Sequence, residues 1–142
     1  MLISLNENDP LPIYLQIVRQ IKEQILAGEL AGGDELPSVR ELGDALGISL
    51  HTARSAYQTL SDDGLLRIRL GKRARVAPQE GEGSSEPAPE AIAERLRDVV
   101  VDALLHGGSP EQVRDLLDRQ IDELAARRMD AMGRKNRQAK EG

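Results

Sequence analysis

Five cations, Arg67, Arg69, Lys72, Arg73 and Arg75, fall in one short run that contains no acid. A guanidinium can clamp a phosphate or bond a guanine edge bidentately, so such a run suits a polyanionic partner. Arg40 and Arg54 add two further guanidiniums, while Ser38, Ser49 and Thr52 carry hydroxyls of the kind that bind phosphate oxygens beside helix-terminal amides. His51 stands among them, and its position makes a contact about as expected as simple solvation. Each feature also has a plainer reading. Arg40 could pair with Asp44 one helical turn on, a contribution of roughly 0.2–0.5 kcal/mol. The arginines of 67–75 could be a solvated strand edge that discourages aggregation, although their lack of acidic neighbours favours nucleic acid. His106, beside Gly107, suits a helix C-terminus better than a metal.

Other chemistries find little support. The chain has no Cys, which removes thiolate nucleophiles, disulfides and Cys-based zinc sites. Its two His residues are far apart and form neither a triad nor a metal-ligand spacing, and the Gly28–Gly33 stretch has no Walker lysine and no dinucleotide fingerprint. No catalysis, cofactor or metal is therefore expected. The formal net charge of -5 at first opposes a nucleic-acid partner. However, residues 1–77 hold 9 Lys/Arg against 10 Asp/Glu, and residues 78–142 hold 10 against 14, so most of the acidity lies in the second half. No apolar stretch approaches a membrane span, and no signal-peptide pattern opens the chain.

The elements that must position these residues follow from periodicity and breakers. Ile13, Ile17, Ile21 and Ile25 recur every four residues up to Gly28, which predicts a helix over 12–27. Gly32-Gly33 leads into a short extended piece, 34–36, before Pro37. Ser38-Val39-Arg40-Glu41 has the form of a reciprocal capping box and opens a second helix to Leu46. Gly47 suits a left-handed turn, and Ser49 caps a third helix that packs through Ala53, Ala56, Tyr57 and Leu60 and ends near Gly64. The period then changes to two. Leu66, Ile68 and Leu70 alternate with Arg67 and Arg69, Gly71-Lys72 turns, and residues 73–76 alternate again, giving a hairpin with one apolar and one basic face. The order helix, short strand, helix, turn, helix, basic hairpin is that of a winged helix-turn-helix.

Residues 78–87, rich in Pro, Gly, Ser and Glu, read as a linker. Two amphipathic helices follow within 88–132. The first presents Ile92, Leu96, Val99 and Ala103; the second, opened by Ser109-Pro110-Glu111-Gln112, presents Val113, Leu117, Ile121 and Leu124. Neither stripe can be covered by the pair alone, so both need the N-terminal domain or a second chain. Residues 133–142 read as a disordered tail.

Pro12-Ile13-Tyr14-Leu15-Gln16-Ile17, Gly33-Asp34-x-Leu36-Pro37-Ser38-x-Arg40-Glu41-Leu42 and Ala56-Tyr57-x-x-Leu60-x-x-x-Gly64-Leu65 resemble bacterial GntR-type transcription regulators in content and order. The short second part resembles the YtrA-like branch. The resemblance implies that the third helix enters the major groove while the hairpin, or wing, reaches the minor groove. It places Ser38, Arg40, Ser49, Leu50, His51, Thr52 and Arg54 on the DNA-facing side, with Arg69, Gly71, Lys72, Arg73 and Arg75 on the wing. Arg73-Ala74-Arg75 departs from the usual wing ending and implies a wing more dependent on charge.

The fold expected is mainly α with a small β hairpin: a winged helix-turn-helix domain over 1–77 and a two-helix dimerisation segment over 88–132. The function expected is that of a cytoplasmic, homodimeric, sequence-specific repressor that binds double-stranded operator DNA, without cofactor or membrane. The competing reading is a winged helix used as a protein-interaction or scaffold module, with its C-terminal helices as the working surface. The part beyond Ala77 is too short for the large effector domains of related branches.

Overall fold

A computed structural model describes residues 1–78 and 89–141. The chain forms α1 (Ile13–Ala27), α2 (Val39–Leu46), α3 (Leu50–Asp62), β1 (Leu66–Arg67), β2 (Arg75–Val76), α4 (Pro89–Leu105) and α5 (Pro110–Glu141). The expected linker, apart from Pro78, lies outside the described residues.

The first three helices form where local signals place them. Gly28 ends α1 in the left-handed region, and the amides of Glu29 and Leu30 turn back to the Gln24 carbonyl. Gly47, at φ 66°, ends α2 in the same way, and its lack of a Cβ makes that conformation inexpensive. Between α2 and α3 the chain turns in Gly47, Ile48 and Ser49. Gly43 permits the tight approach, because a Cβ there would lie 3.2 Å from the Ile48 carbonyl oxygen. The core these helices enclose contains Ile17, Val18, Ile21, Leu36, Leu42, Ala53, Ala56, Tyr57, Leu60, Leu66 and Val76. It is aliphatic apart from one tyrosine, whose hydroxyl donates to the Pro37 carbonyl at 2.6 Å. Burial, and secondarily the charge of Glu41, pushes that hydroxyl's pKa upward, so it remains a donor at any working pH. Tyr57→Phe should therefore cost about 1–3 kcal/mol, because the Pro37 carbonyl at the start of α2 loses its partner. The urea midpoint of unfolding should fall at constant slope.

The wing is shorter than its alternation predicts. Pairing is confined to Leu66 with Val76 and Arg67 with Arg75. The extended piece before Pro37 lies along β2: Gly33 N–H donates to the Val76 carbonyl at 2.8 Å, Val76 N–H to that of Asp34 at 2.9 Å, and Leu36 N–H to that of Ala74 at 2.9 Å. Ile68 and Leu70 are exposed, which corrects the expectation of an apolar hairpin face. The ladder stops at Arg67 and the Lys72 amide closes a turn onto the Arg69 carbonyl, so the outer apolar residues have no core to face.

The capping box is only half formed. Ser38 Oγ accepts from the Glu41 amide at 3.1 Å, but the Glu41 carboxylate turns to Arg73 instead of the Ser38 amide. A complete reciprocal box occurs at the start of α5, where Ser109 Oγ accepts from the Gln112 amide and Gln112 Oε1 from the Ser109 amide.

A feature with no counterpart in the sequence reading straps the N-terminus to α1. Gln16, Gln20 and Gln24, spaced four apart, bond the backbone of Asn6, Ser4 and Leu2 in turn. Gln16 and Gln24 are buried, and these bonds satisfy amides that would otherwise be costly to enclose.

Beyond Gly107, α5 continues to Glu141, so residues 133–141 are helical and the expected disordered tail is corrected. The segment holds no Pro and is dominated by Arg, Lys, Gln and Ala, good helix formers, with cations toward a C-terminus that favours them. Ala131 is buried, and α5 rests there against α1.

Candidate nucleic-acid interface

The turn between α2 and α3 sets the geometry. Ser49 Oγ accepts from the Thr52 amide at 3.1 Å and lies 2.9 Å from the Thr52 hydroxyl, which fixes the first turn of α3. From this capped end Leu50, His51 and Arg54 stand exposed, while Thr52 and Ser55 are half-buried. Arg40 is exposed on α2, and Ser38 is half-buried at its cap. No Arg40–Asp44 ion pair forms among the described residues, so that guanidinium stays available.

His51, Arg54, Ser55 and Gln58 follow the helical spacing along α3 and, together with Tyr14 at the start of α1, line an open cleft of about 420 Å³. Of the lining residues, only His51 and Arg54 belong to the sequence-derived site; Tyr14, Ser55, Gln58 and Thr59 do not. Gln58 continues the same face at i+4 from Arg54, a period that was legible. Tyr14, half-buried near the start of α1, also lines the cleft, and the apolar periodicity of that helix carries no signal of this.

The wing cations divide into two sets. Arg67, Arg69 and Lys72 are exposed and make no ion pair among the described residues, and Gly71 marks the tip at φ 74°. Arg73 instead bonds Glu41 at 2.7 Å, and Arg75 bonds Glu35 together with the Gly33 carbonyl. Thus the run that is acid-free in sequence is not acid-free in space. Arg73 and Arg75 brace the wing against α2 and the extended piece before it, and leave Arg69 and Lys72 projecting.

The apolar residues beyond the linker are largely uncovered. Ile92, Leu96, Val99, Leu117 and Ile121 are exposed in the single chain, whereas Ala103, Val113 and Leu124 are half-buried. An apolar cleft of about 350 Å³ opens between α4 and α5, lined by Leu96, Val99, Val100, Ala103, Val113 and Leu117 among others. His106, just past the end of α4, bonds the Asp102 carbonyl of that helix at 2.7 Å. Among the described residues no three His, Cys, Asp or Glu side chains gather as a metal site, and no helix is long and apolar enough to cross a membrane.

Comparison with known proteins places this geometry. Residues 13–76 match the model of the bacterial regulatory proteins of the gntR family. The transcriptional repressor YtrA of Bacillus subtilis is 30% identical over 114 residues, covering 80% of this chain and 88% of the relative. The repressor NagR of the same organism is 35% identical over 128 residues, but this chain spans only about half of it, 49%. Among solved structures, a protein from Listeria monocytogenes described as a transcriptional antiterminator is 31% identical with a TM-score of 0.77, covering 87% of this chain and 92% of that one. YtrA from Sulfolobus acidocaldarius, a GntR-family transcription factor, is 34% identical with a TM-score of 0.51, covering 85% and 97%.

Proposed function

We propose that this chain, which belongs to the GntR family of bacterial regulatory proteins, is a sequence-specific DNA-binding transcription regulator that works as a homodimeric repressor in the cytoplasm. The observation that carries this reading is the exposed outer face of α3, where His51 and Arg54 project beside a capped helix N-terminus. A helix presented in this way fits the major groove, its first turns against base edges, while a short basic wing reaches the adjacent backbone. Division of labour follows from the chemistry. The amides and hydroxyls at Ser38, Ser49 and Thr52 and the wing cations Arg69 and Lys72 grip phosphates and fix register, and Arg54 reads a base. Leu50, 41% exposed at the start of α3, offers an apolar contact to a thymine methyl. Repression would follow from occupying an operator that overlaps a promoter. The relatives named as repressors, YtrA and NagR, support that direction of control.

Selecting bound fragments from the source genome tests the reading, since a regulator of this kind enriches a defined two-part site. Arg54→Ala, put through the same selection, should weaken binding by roughly 1–3 kcal/mol and relax preference at one base pair of each half-site. Lys72→Ala should instead weaken all sequences alike. Unchanged base preference in Arg54→Ala would reassign that side chain to phosphate.

A further inference from the structure

We infer that Arg127 couples the two parts of the molecule: by clamping α5 to the recognition domain it sets the angle at which a dimer presents its two α3 helices to DNA. The inference rests on the regulator reading above and adds a positioning residue that does not itself touch nucleic acid. Arg127 Nε donates to Glu29 Oε1 at 2.6 Å and Nη2 to Glu29 Oε2 at 2.9 Å, while Nη1 reaches Glu23 Oε2 at 3.4 Å. A guanidinium bonded to both oxygens of one carboxylate fixes a plane as well as a distance, which a lysine cannot do. Among the described residues, every ion pair that joins residues 1–78 to residues 89–141 is made by this side chain. The Arg127 hydrogen bond holds the Glu29 carboxyl below the usual carboxylate range, in keeping with a fork that stays charged.

The placement on α5 gives the clamp its consequence. Ala131, one turn beyond Arg127, is buried, so the docked stretch carries a packing contact beside the ion pairs. Leu117 and Ile121, exposed and suited to a second copy, lie upstream on the same unbroken helix. Leu117 and Arg127 are separated by about 15 Å of helix at about 1.5 Å per residue. One rigid rod therefore bears both the dimerisation residues and the grip on the recognition domain, and any tilt at the clamp moves α3 relative to its twin. An ion pair at half-exposed positions adds little to folding, and this geometry does more to specify orientation than stability.

The test uses the full chain and duplexes carrying the selected operator, variants of it with the half-site separation changed by one to several base pairs, and a single half-site. Arg127→Gln should remain a dimer by sedimentation and bind the single half-site within about twofold of the parent. It should lose about tenfold on the intact operator and discriminate less among separations, because a loosened domain is no longer held in register. Arg127→Lys should fall between, and Glu29→Gln combined with Arg127→Gln should be no worse than Arg127→Gln alone, since both break the same contact. Unchanged affinity and separation preference in Arg127→Gln would overturn the coupling. So would a variant that becomes monomeric or loses the single half-site, because the contact would then serve assembly or folding. Failure of the parent chain to bind any duplex specifically would overturn the regulator reading instead, and the coupling with it.

Discussion

Raising the salt concentration from about 50 to about 200 mM should weaken operator binding by roughly 10³–10⁵-fold, despite an acidic protein. The net charge of -5 sets the sign of the long-range field, but binding releases counterions phosphate by phosphate, and the number of cations that reach phosphates sets the salt slope. Arg40, Arg54, Arg67, Arg69 and Lys72 are exposed without ion pairs among the described residues. If about three to five of them meet phosphates in each chain, a dimer neutralises roughly six to ten. Arg73 and Arg75 form a reserve. Their pairs with Glu41 and Glu35 lie at half-exposed positions, where an ion pair is worth only about 0–1 kcal/mol and a phosphate can displace the carboxylate. A titration of labelled operator at several salt concentrations gives the slope directly. A slope corresponding to more than ten phosphates would mean that the reserve is spent on DNA, whereas a flat dependence would remove the phosphate backbone as the partner.

The contrast between those two sets of arginines marks where linear sequence stops being informative. Helices α1 to α3 were legible because their signals are local: Ser38 and Ser49 cap within three residues, and Gly28 and Gly47 stop helices where they stand. The outer face of α3 was legible for the same reason, since His51, Arg54 and Gln58 are fixed relative to one another by helical period alone. Charge pairing carries no such local rule. Glu41 and Glu35 meet Arg73 and Arg75 across 32 and 40 residues, and Arg127 meets Glu29 across 98, so a window along the chain sees the cations and misses the acids. The glutamines at 16, 20 and 24 were similarly silent, because a strap needs the N-terminal segment laid beside them. Alternation misled at Ile68 and Leu70 because it reports a pleat with one dry face only when another layer is present to cover it.

Truncation after Ala77 should leave a folded, monomeric domain whose affinity for the intact operator is lower by about 10²–10⁴-fold. The first part of this expectation rests on the core: Ile17, Ile21, Leu36, Tyr57, Leu60 and Val76 enclose one another entirely within residues 1–77, so removing α4 and α5 takes nothing from the centre of the domain. The second rests on the exposed apolar residues. Ile92, Leu96, Val99, Leu117 and Ile121, with the cleft between α4 and α5, form a surface that two-fold pairing would cover, and such pairing places two recognition helices at half-sites about one helical turn apart or a multiple of it. A single winged domain offers few contacts. Tethering a second domain makes its binding intramolecular, which is the source of the expected factor. Leu117→Glu in the full chain should reproduce the loss, because pairing would force a carboxylate into an apolar contact. Sedimentation and operator titration separate this from the effect at Arg127, where the dimer persists and only register is lost. If the truncated domain stays dimeric and keeps full affinity, α4 and α5 serve another partner, and the interaction-module reading takes the place of dimerisation.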